Sequence, residues 1–272
     1  MTEPNGGGAD RAVDRRTVLT AGGLIGLGAV LAACSGQSTP TAAPTSSSVP
    51  APASTTPPPP PPPSPVDLLP GAGTCALSPE TIAGPTWFDA HAVRSDIREG
   101  RPGAPLDLAF RVVRAEACTP VPDAVVDLWQ CDAAGIYSGF ASASPGQGGD
   151  RGGVDEYGDG QSAATTEERF LRGTQVTAAD GVVQFATVYP GWYPTRTAHL
   201  HLKVHLDGAT VLTGQLFFDD TVTDSVYAAE PYTRHPGRDT RNDGDPFFSP
   251  AALLNLAPDG VRWLGALVLG VP

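Results

Sequence analysis

Cationic side chains are scarce in this chain. Its 272 residues carry 17 Lys and Arg against 29 Asp and Glu, a formal charge of −12 at neutral pH. Residues 1–33 balance three Arg against three acids, and 35–66 carry no charge, so the whole excess falls on residues 67–272. Such a surface repels phosphate backbones and anionic headgroups, which argues against nucleic acid or an anionic membrane face as a partner. Cysteine is scarce too: there are four, with no CxxC pair, and that speaks against a thiolate zinc site. No internal repeat is present. No long stretch keeps the 3.6-residue apolar period of a helix, and only 222–230 has room for a turn or two.

What is present begins with delivery. Asp14, Arg15, Arg16, Thr17, Val18 and Leu19 precede an apolar, Gly-rich run that ends in Leu31, Ala32, Ala33 and Cys34. A charged start, a short apolar core and small residues before a cleavage point predict an export signal over 1–33 rather than a spanning helix. The Arg pair predicts the twin-arginine route, and Leu31–Cys34 resembles a bacterial lipobox, with Cys34 as the lipidated first mature residue. Residues 34–66 are nearly all Ser, Thr, Pro and Ala, with an unbroken proline run from Pro57 to Pro63. Such a run favours extended polyproline II and builds no core. The expected location is the outer face of a bacterial cytoplasmic membrane, touched only through an N-terminal lipid anchor.

Residues 67–272 are long enough for one domain with a real core. The expected fold is all-β: a β-sandwich of mainly antiparallel strands with long loops and little helix. Strands are predicted at 106–114, 124–131, 170–177, 181–188, 198–206, 209–218 and 261–269, from apolar alternation and β-branched runs between turn residues. Ala178 to Gly181 is predicted to close a hairpin between two of them. The Gly- and Ser-rich stretch 138–168 is too long for a simple turn and is expected to shape a pocket mouth. Cys118 and Cys131 flank a predicted strand whose seven steps span roughly 23 Å, whereas a disulfide needs Cα atoms within about 7 Å. Cys75 is therefore expected to pair with one of them, and Cys118 is favoured.

The chemistry gathers at Tyr193, Arg196, His199 and His201. Alternate residues of a strand share a face, so His199 and His201 can reach one metal ion. An HxH pair equally marks the exposed polar face of an edge strand, and a single tyrosine is more often packed in a core. Tyr193 and Tyr137 are the further candidate ligands. Binding phenolate requires a metal acidic enough to overcome a pKa near 10, which favours Fe(III) over Zn(II).

A set of motifs narrows this. They are Gly84 and Pro85; Arg94 to Ile97; Val126 to Trp129, followed by Gly135, Ile136 and Tyr137; Phe170 to Gly173; Pro190 to Pro194; Arg196 to His201; and Gly214 to Phe218. In this order, from Leu77 to about Phe248, the chain resembles the intradiol ring-cleavage dioxygenases, the group containing catechol and protocatechuate dioxygenases, and most of all its exported single-domain members. The resemblance implies a mononuclear, non-haem Fe(III) held by Tyr137, Tyr193, His199 and His201. It places Arg196 where charge on the substrate ring is stabilised and Gln215 on the substrate side. Tyr193 matches the tyrosinate that leaves the metal and takes a proton. The implied reaction is O2-dependent cleavage of a small aromatic diol between its two hydroxylated carbons, giving a muconate-type diacid.

Larger members of the group assemble into oligomers, so an oligomer stays open here. Two other readings remain: a non-catalytic metal- or aromatic-binding lipoprotein on the same fold, and a Zn or Cu lipoprotein using His199 and His201. His205 is expected to be structural, and His91 and His235 exposed. Arg172 is read either as a hydrogen-bonding organiser of the site or as half of a salt bridge. Pro85 and Trp87 are expected along the pocket. Thr86 and Trp87 stand where members of the group often carry an aromatic pair.

Overall fold

A computed structural model describes residues 61–272. The expected export signal, the lipidated Cys34 and all but the last few residues of the expected tether lie outside the described residues.

The strands are, in chain order, β1 (Pro105–Arg114), β2 (Thr119–Pro120), β3 (Val125–Trp129), β4 (Arg151–Val154), β5 (Gly160–Ser162), β6 (Arg172–Val176), β7 (Val182–Val188), β8 (His199–Leu206), β9 (Ala209–Phe217), β10 (Asn255–Asp259) and β11 (Arg262–Val271). One α-helix, α1 (Asp220–Tyr227), is capped by the Asp219 carboxylate, which accepts from the amides of Thr221 and Val222. Each of the seven predicted strands is present within a few residues of its expected ends.

Two sheets share one core. The first runs β10–β11–β1–β2, with β7 also paired to β1; the second runs β6–β3–β8–β9. Pairing is antiparallel except between β1 and β11, which run parallel over nine residue pairs from Leu106 and Trp263 to Arg114 and Val271. Leu106, Leu108, Phe110 and Val112 of β1 enter the core from one side. Leu200, Leu202 and Val204 of β8 enter it from the other. That alternation is the period-2 pattern of the sequence.

The turn at Ala178–Gly181 exists, with the Gly181 amide donating to the Ala178 carbonyl at 2.8 Å, but it does not close a hairpin. β6 lies in one sheet and β7 in the other, so the turn carries the chain between layers. A turn signal fixes a change of direction and not which strands pair across it.

β8 is buried from His199 to His205. Its apolar residues face the shared core, and its polar ones lie under covering chain. The cover comes from residues 82–90 and from the 138–168 excursion, whose outer part is the β4–β5 hairpin. The polar face is therefore enclosed and does not belong to a solvated edge strand. Cys75 and Cys118 are disulfide-bonded with Cα atoms 5.2 Å apart, and Cys131 is a buried free thiol.

Candidate metal centre

Strand register supplies the first part of the site. His199 and His201 point from one face of β8, and their Nε2 atoms are 3.1 Å apart. Gln215 sits directly across from His201 on β9, and Trp129 sits across on β3. The indole of Trp129 stacks on the His201 imidazole, 5.0 Å between centres and 12° from parallel.

Two loops bring the phenols. Tyr137 follows β3, and its Oη lies 3.0 Å from His201 Nε2. Tyr193 precedes β8, and its Oη lies 3.0 Å from His199 Nε2. The two phenol oxygens are 3.5 Å apart. Two nitrogens and two oxygens thus converge on one point, from residues up to 64 positions apart. Among the described residues no group of three or more His, Cys, Asp and Glu is placed to hold a metal.

The donor chemistry fits a cation. The carbonyl of Thr197 only accepts, so His199 Nδ1, 2.7 Å away, carries the proton and its Nε2 lone pair points into the cluster. His201 Nδ1 is buried without a partner. The hydroxyls of Tyr137 and Tyr193 lie within donating distance of the two Nε2 atoms. A cation at the convergence point uses both Nε2 lone pairs. It also resolves the phenols. Burial, with the neighbouring Tyr193 adding to it, holds the Tyr137 hydroxyl well above the usual phenol range. Burial pushes Tyr193 up to about 12, against the pull of the Arg196 guanidinium. The imidazoles move the other way: burial and Arg196 push His199 down to about 3, and burial and His199 hold His201 well below its ordinary value. Burial thus favours protonated phenols and neutral imidazoles, and a strongly Lewis-acidic ion is what would turn such phenols into ligands.

A pocket of about 420 Å³ opens onto this cluster. Arg196 and Gln215 form its polar wall. Arg196 Nε donates to Asp245 at 2.8 Å, Nη2 donates to Gln215 Oε1, and Nη1 is 3.4 Å from Tyr193 Oη. Gln215 Nε2 is itself fixed by the Ile82 carbonyl at 3.1 Å. Gly84, Pro85 and Thr86 form one side of the pocket, and Pro145, Gly146 and Gln147 of the 138–168 excursion form another, as the sequence led us to expect.

Other expectations need correction. His235 is not simply exposed: it stacks on Trp192 with centres 4.4 Å apart and lines the pocket mouth. Trp87 does not line the pocket but is buried against Trp129, while Thr86 takes the lining position. Among the described residues Arg172 forms no salt bridge. It donates to Ser138 and to the Thr86 carbonyl, with its guanidinium over Phe88, and burial pushes it down to about 9. His91 is exposed at the surface as expected. His205 is structural as expected, bonded to Asp127 at 3.0 Å and stacked on Tyr157. Sequence reasoning missed Asp245 and Phe247. They lie 49 and 51 residues after Arg196, in loop sequence with no periodicity to mark them.

Comparison with known proteins bears on the family. The family described as Dioxygenase matches residues 77–236. A chlorocatechol 1,2-dioxygenase of Rhodococcus opacus is 34% identical over 126 residues, an overlap of 39% of this chain and 41% of that protein; the match spans less than half of the relative's length. Among solved structures, an intradiol ring-cleavage dioxygenase from Tetranychus urticae is 33% identical with a TM-score of 0.64, covering 72% of this chain and 94% of that one. The dioxygenase domain of a carbohydrate-binding fusion protein from Streptomyces sp. SirexAA-E is 29% identical with a TM-score of 0.51, covering 72% and 99%.

Proposed function

The chain belongs to the intradiol ring-cleavage dioxygenase family, and from that premise we propose that it is a non-haem Fe(III) enzyme that cleaves a catechol-type aromatic between its hydroxylated carbons with O2. The observation that carries this reading is the convergence of Tyr137, Tyr193, His199 and His201 within 3.0–3.5 Å of their neighbours beside the pocket. The two-sheet arrangement around them is read as a β-sandwich. Ferric iron, held by the two imidazoles and two phenolates, would bind the diol oxygens and draw electron density from the ring, opening it to O2.

The chain's own residues do the rest. Tyr193 Oη lies at the pocket wall and is the atom that receives a proton from the entering diol. The Arg196 guanidinium lies beside it and offsets negative charge developing on the ring. Asp245 and Gln215 hold that guanidinium in place, so little reorganisation is needed during reaction. The apolar faces of Pro85, Pro145 and Trp192 keep water from the ring.

Purified protein supplied with iron should be reddish-brown from tyrosinate-to-Fe(III) charge transfer. It should consume one O2 per catechol and yield a muconate-type diacid. A colourless, iron-free protein after iron supplementation would remove the ferric reading and favour a Zn or Cu lipoprotein. A coloured protein that takes up no O2 with any substituted catechol would leave the non-catalytic binding reading. Export and anchoring through Cys34 belong to the same proposal, on the strength of the N-terminal sequence.

A further inference from the structure

β8 does not end its polar face at His201. Lys203 and His205 continue it at the same two-residue spacing. Lys203 is the chain's single lysine, and it is buried. Its ammonium lies 3.4 Å from the centre of the Trp87 ring and is ion-paired with Asp159. Asp127, directly across from Lys203 on β3, is taken by His205 and by the Thr174 hydroxyl. The ammonium is therefore committed to Asp159, which also accepts from the Thr210 hydroxyl at 2.7 Å.

Asp159 lies in the turn between β4 and β5, at the far end of the 138–168 excursion. A buried cation is costly unless paired, and the pair that satisfies this one ties the excursion to the strand carrying His199 and His201. Backbone contacts extend the tie. The Ser162 amide donates to the Trp87 carbonyl at 2.7 Å, and the Gly149 amide donates to the Pro85 carbonyl at 3.1 Å. Residues 145–147, just before this anchored part, line the same pocket as Arg196, and Gly146 packs directly against the Tyr193 ring.

We propose that Lys203 is a positioning residue: through Asp159 it clamps the excursion over the metal-site face and so fixes the 145–147 wall against which the substrate lies. The substrate half of this statement rests on the ring-cleavage reading; the clamp does not.

Asp159 is partly exposed, so Asp159→Asn tests the clamp without removing a core side chain. In the iron-supplied protein, trypsin should cut after the exposed Arg151 on β4 about tenfold faster, because cleavage follows local opening. KM for catechol should rise about tenfold while kcat changes by less than about threefold, and the ferric colour should stay. Lys203→Met should do the same, the double variant should add little, and Asp159→Glu should restore both readouts. Unchanged cleavage at Arg151, or faster cleavage with KM untouched, overturns the proposal. Joint loss of iron and kcat without a KM change makes Lys203 a core residue only and overturns it too. Wild-type protein that takes up no O2 with any catechol sinks the ring-cleavage reading instead, and with it the substrate half, while cleavage at Arg151 still decides the clamp.

Discussion

Arg196 is held on three sides. Its Nε bonds Asp245, its Nη2 bonds Gln215, and its Nη1 faces Tyr193 Oη, while Phe247 lies 4.8 Å from its guanidinium carbon. A planar fork meets these demands at once, and an ammonium does not. Arg196→Lys should therefore keep iron and colour but lower kcat by about 10²-fold, the usual cost of a lost preorganised donor. A wild-type kcat in that variant would show that the guanidinium is not what stabilises charge on the ring. The two histidines differ in a way their shared motif hides. His199 has a second-side acceptor in Thr197, and His201 has an aromatic platform in Trp129 instead.

At the scale of elements, the site depends on two loops locked to each other more than on one strand. The Gly191 amide, two residues before Tyr193, donates to the Asp132 carbonyl at 3.0 Å. On the other loop, two residues before Tyr137, Gly135 adopts φ +81°, and a Cβ there would lie 2.4 Å from the Trp192 carbonyl oxygen. Glycine is required at this position for both its conformation and its lack of volume. Gly135→Ala should cost ~1–3 kcal/mol from backbone strain alone, with the clash adding to it. Melting of the iron-supplied variant should show a lower midpoint and lower iron occupancy, since the backbones carrying both tyrosines must separate. An unchanged midpoint and full occupancy would mean the loops accommodate the methyl and are not interlocked. Helix matters little here: α1 supports the far side of the Tyr193 loop, where the Tyr227 hydroxyl donates to the Pro190 carbonyl at 3.0 Å.

Across the whole molecule, a segment that runs ahead of the first strand is tied back to the sheets. Cys75 bonds Cys118 in the turn after β1, across a sequence separation of 43, and Ser78 exchanges hydrogen bonds with Gly270 of β11. The candidate metal donors lie on β8, on the loop before it and on the loop after β3, away from this tie. Cys75→Ser should then lower stability by ~2–4 kcal/mol through a less constrained unfolded chain, read as a lower denaturant midpoint. Iron content and colour at 25 °C should be retained. Loss of iron in the folded variant would show that the tie reaches the site.

The seven main strands and the shared face of His199 and His201 were legible because each is a local or strongly patterned signal, while Tyr137 and Tyr193 were joined to them through the resemblance. Strand period is two, and turn residues bound the runs. Ala178–Gly181 shows where such signals stop: its turn chemistry is plain, yet the strands it joins belong to different sheets. Asp245, Phe247, His235 and Asp159 show the same limit at the level of side chains. Each gains its role from a neighbour far away in the chain, and no spacing marks that neighbour. The sequence alone determined which residues could ligate a metal and that His199 and His201 share one face of a strand. Only the tertiary structure decided that this face is enclosed rather than solvated, that Arg196 and Gln215 meet on the pocket wall, and that Lys203 extends the face into a clamp. Periodicity records which side a residue takes, whereas packing alone records what covers it.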